Sequence, residues 1–237
     1  MLETTVALAF GHALADFLMQ TDDMVRHKTR PRVLLLHVGI VTLVSWAALG
    51  FPREPLLLIL IGVSHFAIDW LKLRHGSQSF GPFVIDQAAH LAMIVVGATL
   101  FPAAWAGGLW AHAPGPFLLL PQAMALGAGF VFTVWGGDYA VRALMSELTP
   151  PDPDSLPKGG RLIGRLERAM ILMLVIAGQP DGIGFLIAAK SLLRFNDLAQ
   201  DKDRRVSEYV IIGTLASFAW GLVAAFATRL ALVTLGP

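Results

Sequence analysis

The stretch PLLLILIGVSHFAIDWLKL occupies residues 55–73 and decides the fold class. It is an apolar run of the length that a helix needs to cross the hydrocarbon core of a bilayer, which is about 20 residues. The whole chain agrees, because 55% of its 237 residues are hydrophobic and only 15% are charged. Soluble domains carry about 25% charged residues. The sequence therefore predicts an all-α fold, a polytopic bundle of transmembrane helices.

Seven further apolar segments bring the expected number of spans to about eight. These segments cover residues 2–20, 32–51, 82–105, 117–145, 160–178, 181–197 and 206–234. The segments 2–20 and 181–197 are short and carry polar residues, so either of them is open to a re-entrant interpretation. Proline and glycine mark the turns between segments.

Lysine and arginine lie mainly in the loops that follow odd-numbered spans. The positive-inside rule places such loops in the cytoplasm. Both termini are then periplasmic, in a membrane that we expect to be a bacterial inner membrane. The net charge of +1 gives no indication of nucleic-acid binding, and the absence of cysteine excludes a thiolate metal site.

A motif of the form small-His-x-x-x-Asp-aromatic-Leu occurs twice, at residues 11–18 and again at residues 64–71. Its two copies are 53 residues apart, and the same spacing separates His37 from His90. This predicts a parallel two-helix repeat within the N-terminal half. We therefore divide the chain into a His/Asp-bearing four-helix unit and a C-terminal part with a cytoplasmic-side cluster of Arg, Lys and Glu. Their bounds are 1–105 and 106–237.

Ionisable side chains gather at one depth of the first four spans. A rise of 1.5 Å per residue places them within roughly 5–15 Å of the cytoplasmic face. The residues are His12, Asp16, His37, His65, Asp69, Asp86 and His90. An unpaired charge at membrane depth costs on the order of 3 kcal/mol on insertion scales, so the three aspartates need partners.

Imidazole and carboxylate groups together suit a divalent metal ion, Zn²⁺ most of all, with Mn²⁺ and Fe²⁺ as alternatives. We expect direct ligands among Asp16, His65, Asp69 and His90. The others, His12, His37 and Asp86, are expected as further ligands or supporting partners, and the three aspartates are the candidate catalytic residues. Two alternatives stay open, a proton or cation pathway and an interhelical hydrogen-bond cluster without chemistry.

A second polar set lies at the cytoplasmic helix ends. The candidate head-group residues are Gln20, Lys28, Lys72, Arg165, Glu167, Arg168, Lys190, Arg194 and Glu208. Basic residues in such positions often only extend to lipid head groups. The functional alternative is a clamp that holds a phosphate or carboxylate beside the metal ion.

These motifs resemble a family of bacterial membrane proteins catalogued as domain of unknown function 3307. The resemblance covers about residues 8–100. It rests on His12-x-x-x-Asp16-Phe17-Leu18-x-Gln20-Thr21-Asp22, Lys28, His37, Ser64-His65-x-x-x-Asp69-x-x-Lys72 and Asp86-Gln87-x-x-His90. It implies no established activity. The His-x-x-x-Asp pattern is also loosely similar to membrane-bound metal-dependent hydrolases.

The leading hypothesis is a metal-dependent hydrolase that acts at the cytoplasmic side on a membrane lipid or an anionic lipid-linked substrate. The alternatives are a proton- or ion-coupled transporter and a non-catalytic membrane protein that binds a lipid or a partner. Carriers typically place their sites near the midplane of inverted repeats. The parallel repeat and the off-centre cluster favour the hydrolase.

Overall fold

A computed structural model describes residues 1–75, 79–148, 159–200 and 204–236, and leaves the side chains of 193–200, 204 and 206 undescribed. Within these residues the regular structure is entirely helical. The α-helices are α1 (Leu2–Ala13), α2 (Asp22–His27), α3 (Pro31–Ala48), α4 (Pro55–His75), α5 (Phe80–Leu100), α6 (Leu120–Val131), α7 (Gly137–Met145), α8 (Gly159–Ile176), α9 (Gly182–Gln200) and α10 (Arg204–Leu235). Two π-helical segments, Leu14–Met19 and Phe132–Gly136, extend α1 and join α6 to α7. Short 3₁₀ turns cover Leu109–His112 and Gly115–Leu119.

Six helical stretches in the described residues are long and apolar enough to cross a membrane. They are Leu2–Met19, Pro31–Ala48, Pro55–His75, Phe80–Leu100, Gly115–Met145 and Ser207–Leu235. The all-α class is confirmed, and the first segment qualifies as a span despite its polar residues. Helix α8 does not qualify, and in α9 the apolar part is only the shorter stretch Gly182–Leu192. The count of eight spans stays a prediction.

The described chain forms two compact units. The first comprises Met1–Val131 and Leu230–Pro237, and the second comprises Phe132–Arg229. The division of the sequence into 1–105 and 106–237 follows the chemistry of the side chains, and it stays a prediction.

In the first unit, α1 packs against α3, α5 and α6, while α4 packs against α3 and α5. Glycine permits a close approach of α1 to α3, because a Cβ on Gly11 would lie 2.9 Å from the Cα of Ser45 on α3. Real Cβ atoms essentially never come so near to backbone. This tight packing brings the four helices that carry the predicted histidines into one ring.

One buried threonine ties the start of α1 to the segment after α5. The hydroxyl of Thr4 donates a hydrogen bond to the carbonyl of Pro102 at 3.1 Å and accepts one from the backbone N–H of Trp105 at 3.2 Å. Because Thr4 is fully buried, these two bonds satisfy a hydroxyl that water does not reach.

Candidate metal centre

The π-helical segment at the end of α1 carries Asp16. A π-turn contains one more residue than an α-turn and often occurs at functional sites. Asp16 still faces His12 here, with 3.8 Å between His12 Nδ1 and Asp16 Oδ1. Gln20 follows the helix with an extended backbone, so it lies just outside the helical part of this segment.

Two imidazoles and two carboxylates form the centre of the cluster. The Nε2 atoms of His37 and His65 are 3.1 Å apart. Asp16 Oδ1 lies 3.3 Å from His37 Nε2 and 3.5 Å from His65 Nε2. Asp69 Oδ2 lies 3.6 Å and 3.5 Å from the same two nitrogens. Helices α1, α3 and α4 each contribute to this group.

These separations match the spacing of ligands around a small metal ion. Zinc bonds of 2.0–2.1 Å in tetrahedral geometry place neighbouring ligand atoms about 3.3–3.4 Å apart. Each carboxylate oxygen forms a triangle with the two imidazole nitrogens, and the sides of both triangles measure 3.1–3.6 Å. Each triangle therefore has about the dimensions that three ligands around such an ion would require.

Helix α5 adds a second part of the cluster, Asp86 and His90. His90 Nδ1 lies 2.9 Å from the backbone carbonyl of Asp86. A proton on Nδ1 makes this a hydrogen bond, and the lone pair is then on Nε2. Metal-ligating histidines are typically oriented by such a bond. His90 Nε2 and Asp86 Oδ1 are buried and have no hydrogen-bond partner among the described residues.

All seven predicted ligands lie close together, and none is more than 8% exposed. The described residues contain three groups whose ligand atoms lie within 4.8 Å of one another. These groups are His12, Asp16 and His65; His37, His65 and Asp69; and Asp69, Asp86 and His90. The sequence-based expectation that these residues converge is correct, whereas their role as metal ligands stays a prediction.

The histidine rings form a continuous chain. Ring centroids are 5.1 Å apart for His37 and His65, 4.2 Å for His65 and His90, and 5.0 Å for His90 and His12. The first and last of these pairs occupy corresponding positions of the proposed repeat. Their near-equal distances agree with a pseudo-two-fold arrangement, although the repeat itself stays a prediction.

A small cavity of about 20 Å³ adjoins the cluster. Its polar lining consists of His12, His65, His90, Ser45 and Ser64. About 10–15 Å³ suffices for one water molecule, which also needs polar partners. The site therefore has room for one water beside three imidazoles.

Two lysines offset the negative charge of two of the three aspartates. Lys28 Nζ lies 2.7 Å from Asp69 Oδ2. Lys72 Nζ lies 2.7 Å from Asp86 Oδ2, which also accepts a hydrogen bond from Gln87 at 3.1 Å. Both lysines were predicted to hold a head group, and in the structure each contacts a candidate catalytic carboxylate.

The second unit has its own buried polar centre at Arg168, which is 2% exposed. Its guanidinium donates to the carbonyls of Thr133 and Val134 at 3.0 and 2.8 Å, to Ser217 Oγ at 2.8 Å and to Asp138 Oδ1 at 2.5 Å. The two carbonyls belong to the π-helical segment Phe132–Gly136, where the hydrogen-bond ladder departs from the α pattern. The guanidinium is thereby fixed in the interior.

Two of the other predicted head-group residues, Arg165 and Lys190, also have acidic partners. Arg165 Nε donates to Asp138 Oδ2 at 2.5 Å, and Lys190 Nζ donates to Glu167 Oε2 at 2.7 Å. Glu208 is exposed, and the side chain of Arg194 lies outside the described residues. A head-group role for this set stays a prediction, and an anion at Arg165 or Lys190 would compete with the carboxylates.

Asp138 is the residue that the sequence-based site lacks. Its carboxylate joins Arg165 and Arg168, and Arg161 Nε lies 3.9 Å from it. The available signal was an aspartate in an apolar run one helical turn before Arg142. That spacing suggests a local i, i+4 pair of Asp138 with Arg142, and it gives no indication of the contacts with α8.

The comparison with protein families concerns the first unit. Residues 4–112 match the model of a family described as "Protein of unknown function (DUF3307)". The DUF3307 match confirms the resemblance expected for residues 8–100 and contains all seven candidate ligands. Arg168 and its partners lie outside it. No curated protein and no solved structure matches the chain.

Proposed function

We propose that this protein is a membrane-embedded, divalent-metal-dependent hydrolase of a lipid or lipid-linked substrate. The observation that carries the proposal is a pair of imidazole nitrogens 3.1 Å apart, with two carboxylate oxygens that each lie 3.3–3.6 Å from both nitrogens, inside an apolar helical bundle. Zn²⁺ suits such a nitrogen and oxygen set best, with Mn²⁺ and Fe²⁺ as alternatives.

A bound divalent ion would lower the pKa of a water molecule and polarise the bond to be cleaved. The three aspartates each direct a carboxylate oxygen at the cluster. Oδ1 of Asp16 and Oδ1 of Asp86 are buried without a hydrogen bond in the described part of the chain. We assign to one of these carboxylates the acceptance of a proton from the attacking water.

The substrate class follows from the surroundings of the cluster. Its helices are among those apolar enough to span a membrane, so a substrate that reaches it from the bilayer is a lipid or carries a lipid chain. Lys72 is about one third exposed, and Lys28 and Lys72 lie next to the cluster. We assign them, with Gln20, to an anionic head group. Because the loops at this end are basic, we assign it to the cytoplasmic side of a bacterial inner membrane, with both termini periplasmic.

The first experiment is elemental mass spectrometry of the protein purified in mild detergent. We expect near-stoichiometric zinc, manganese or iron in the wild type. His37→Ala and Asp69→Asn should lose that ion while still eluting as folded protein in size-exclusion chromatography. His75→Ala is the matched control, because His75 is an exposed histidine at the end of α4, where its ring contacts its own helix. Loss of metal should parallel loss of lipid hydrolysis.

A wild-type protein that binds no ion after reconstitution with each of the three metals would refute the proposal. A second candidate function is then favoured by the continuous chain of histidine rings. Four imidazoles at centroid distances of 4.2–5.1 Å provide groups that exchange protons. Liposomes with an internal pH-sensitive dye would distinguish it, since a proton-coupled carrier acidifies the lumen and a hydrolase does not.

A further inference from the structure

The cluster contains more ligands than one ion uses. Catalytic zinc takes three protein ligands and a water, and structural zinc takes four. Seven histidines and aspartates converge here, all of them buried. If one ion bound only to His37, His65, Asp16 and Asp69, the groups on α5 would stay buried beside it without a role.

The groups on α5 form a second position together with Asp69. Ligand atoms of Asp69, Asp86 and His90 lie within 4.8 Å of one another. His90 Nε2 and Asp86 Oδ1 are buried and have no hydrogen-bond partner in the described residues. His90 is 3% exposed and Asp86 is 5% exposed. An unpaired buried polar atom costs about 1–3 kcal/mol, and a metal ion at this position would satisfy both atoms.

Asp69 belongs to both positions. Its carboxylate forms one group with His37 and His65 on one side and another with Asp86 and His90 on the other. A carboxylate has two oxygens with about four lone-pair sites, so a single aspartate can serve two ions at once. Paired catalytic ions in enzymes lie about 3.5–4 Å apart.

We infer that the cluster holds two divalent ions that share the carboxylate of Asp69. His37, His65 and Asp16 complete the first position, and Asp86 and His90 complete the second. This inference rests on the proposed function, because it requires that the cluster binds metal at all.

A pair of ions next to two lysines indicates a phosphate ester as the substrate. Two-metal centres stabilise both the attacking and the leaving oxygen of an in-line displacement. Lys28 and Lys72 now contact Asp69 and Asp86 at 2.7 Å, and once ions neutralise these carboxylates the ammonium groups can turn to phosphate oxygens. In the reaction, one water forms a new bond to phosphorus and the ester P–O bond breaks. One proton of the water goes to the released lipid alcohol, and the other stays on the released phosphate.

The test is to load metal-free protein with Mn²⁺ and to measure both stoichiometry and the electron paramagnetic resonance spectrum. We expect two manganese ions per chain with a spectrum broadened by magnetic coupling. Asp86→Asn and His90→Ala should retain one ion with the six-line spectrum of an isolated Mn²⁺. The control His75→Ala should retain two. All variants are first compared by size-exclusion chromatography.

One ion per chain in the wild type, unchanged in Asp86→Asn and His90→Ala, would overturn the second position and leave the proposed function intact. If both variants still bind two ions, the second ion does not lie at Asp86 and His90, and the proposed location of the second position is wrong. No ion at all would overturn both proposals.

The substrate class has its own test, release of inorganic phosphate by the manganese-loaded protein. One arm offers a phosphorylated lipid in vesicles, and the other offers a water-soluble phosphate monoester. Release from either arm supports a phosphate ester, and release from the vesicles alone shows that the lipid chain is required. Cleavage of a lipid amide without any phosphate release would overturn the assignment of a phosphate ester as the substrate.

Discussion

Substitution of Gly137 by alanine tests how strictly the second unit depends on the guanidinium of Arg168. Gly137 opens α7 directly after the π-helical segment. A Cβ built on it would lie 2.6 Å from Arg168 Cδ, 2.9 Å from Cζ and closer still to Nε. Because ordinary contact begins at about 3.4 Å, the nearest arginine atom would have to move by about 1 Å.

Such a movement breaks hydrogen bonds that are now well formed. The bonds from Arg168 to the carbonyls of Thr133 and Val134 measure 3.0 and 2.8 Å. Hydrogen bonds to charged groups contribute roughly 1.5–3 kcal/mol each, so losing both costs about 3–6 kcal/mol. Alanine returns about 0.5–1 kcal/mol through its better helix propensity. We expect Gly137→Ala to lower the free energy of unfolding by about 2–5 kcal/mol.

The assay is thermal unfolding in detergent, followed by tryptophan fluorescence. Gly39→Ala is the matched control, since Gly39 lies within α3 and no neighbouring atom lies within 4 Å of the place that a Cβ would occupy; this variant should be neutral or slightly stabilised. In an Arg168→Ala background, Gly137→Ala should cost much less, because the clashing side-chain atoms of Arg168 are gone. If Gly137→Ala unfolds at the same temperature as Gly39→Ala, the reasoning is wrong.

Three further predictions concern polar groups. Thr133 is fully buried and its Oγ1 has no hydrogen-bond partner in the described residues, so Thr133→Val should keep or raise the melting temperature. Thr4→Val removes a hydroxyl that makes two hydrogen bonds, and it should lower the free energy of unfolding by about 1–3 kcal/mol. Equal effects in a melting experiment would contradict this. Lys28→Met removes a cation 2.7 Å from a ligand oxygen and should tighten metal binding in a competition titration with a chelator; weaker binding would show that the lysine supports the site. Because protons and metal ions compete for imidazole nitrogens and carboxylate oxygens, metal affinity should fall as the pH is lowered in a competition titration with a chelator, and an affinity that does not change with pH would argue against these ligands.

The sequence predicted the clustering of the seven candidate ligands because helical spacing is local. His12 with Asp16, His65 with Asp69 and Asp86 with His90 are four residues apart, which places each pair on one helix face. A count of depth along each helix then indicated that these faces meet. The cost of burying aspartates in a membrane supplied the reason why they should meet.

The remaining features depend on contacts between distant segments. Lys28 was expected at a head group, but its ammonium reaches Asp69, which lies far along the chain. Neither π-helical segment has a composition that distinguishes it from an α-helix. The partners of Asp138 became clear only from the packing of α8, because its sequence neighbour Arg142 offered an equally good local pairing.

The lysine contacts also bear on how the protein is made. Under the proposed function, a chain that reaches the membrane without a metal ion carries three carboxylates that, if unpaired, would oppose insertion by about 9 kcal/mol on insertion scales. Lys28 and Lys72 balance two of them from within the chain, so a metal-free precursor can fold first and mature later. Biosynthesis then does not require the ion to be present at insertion, and protein stripped by chelation should remain folded and competent for reloading.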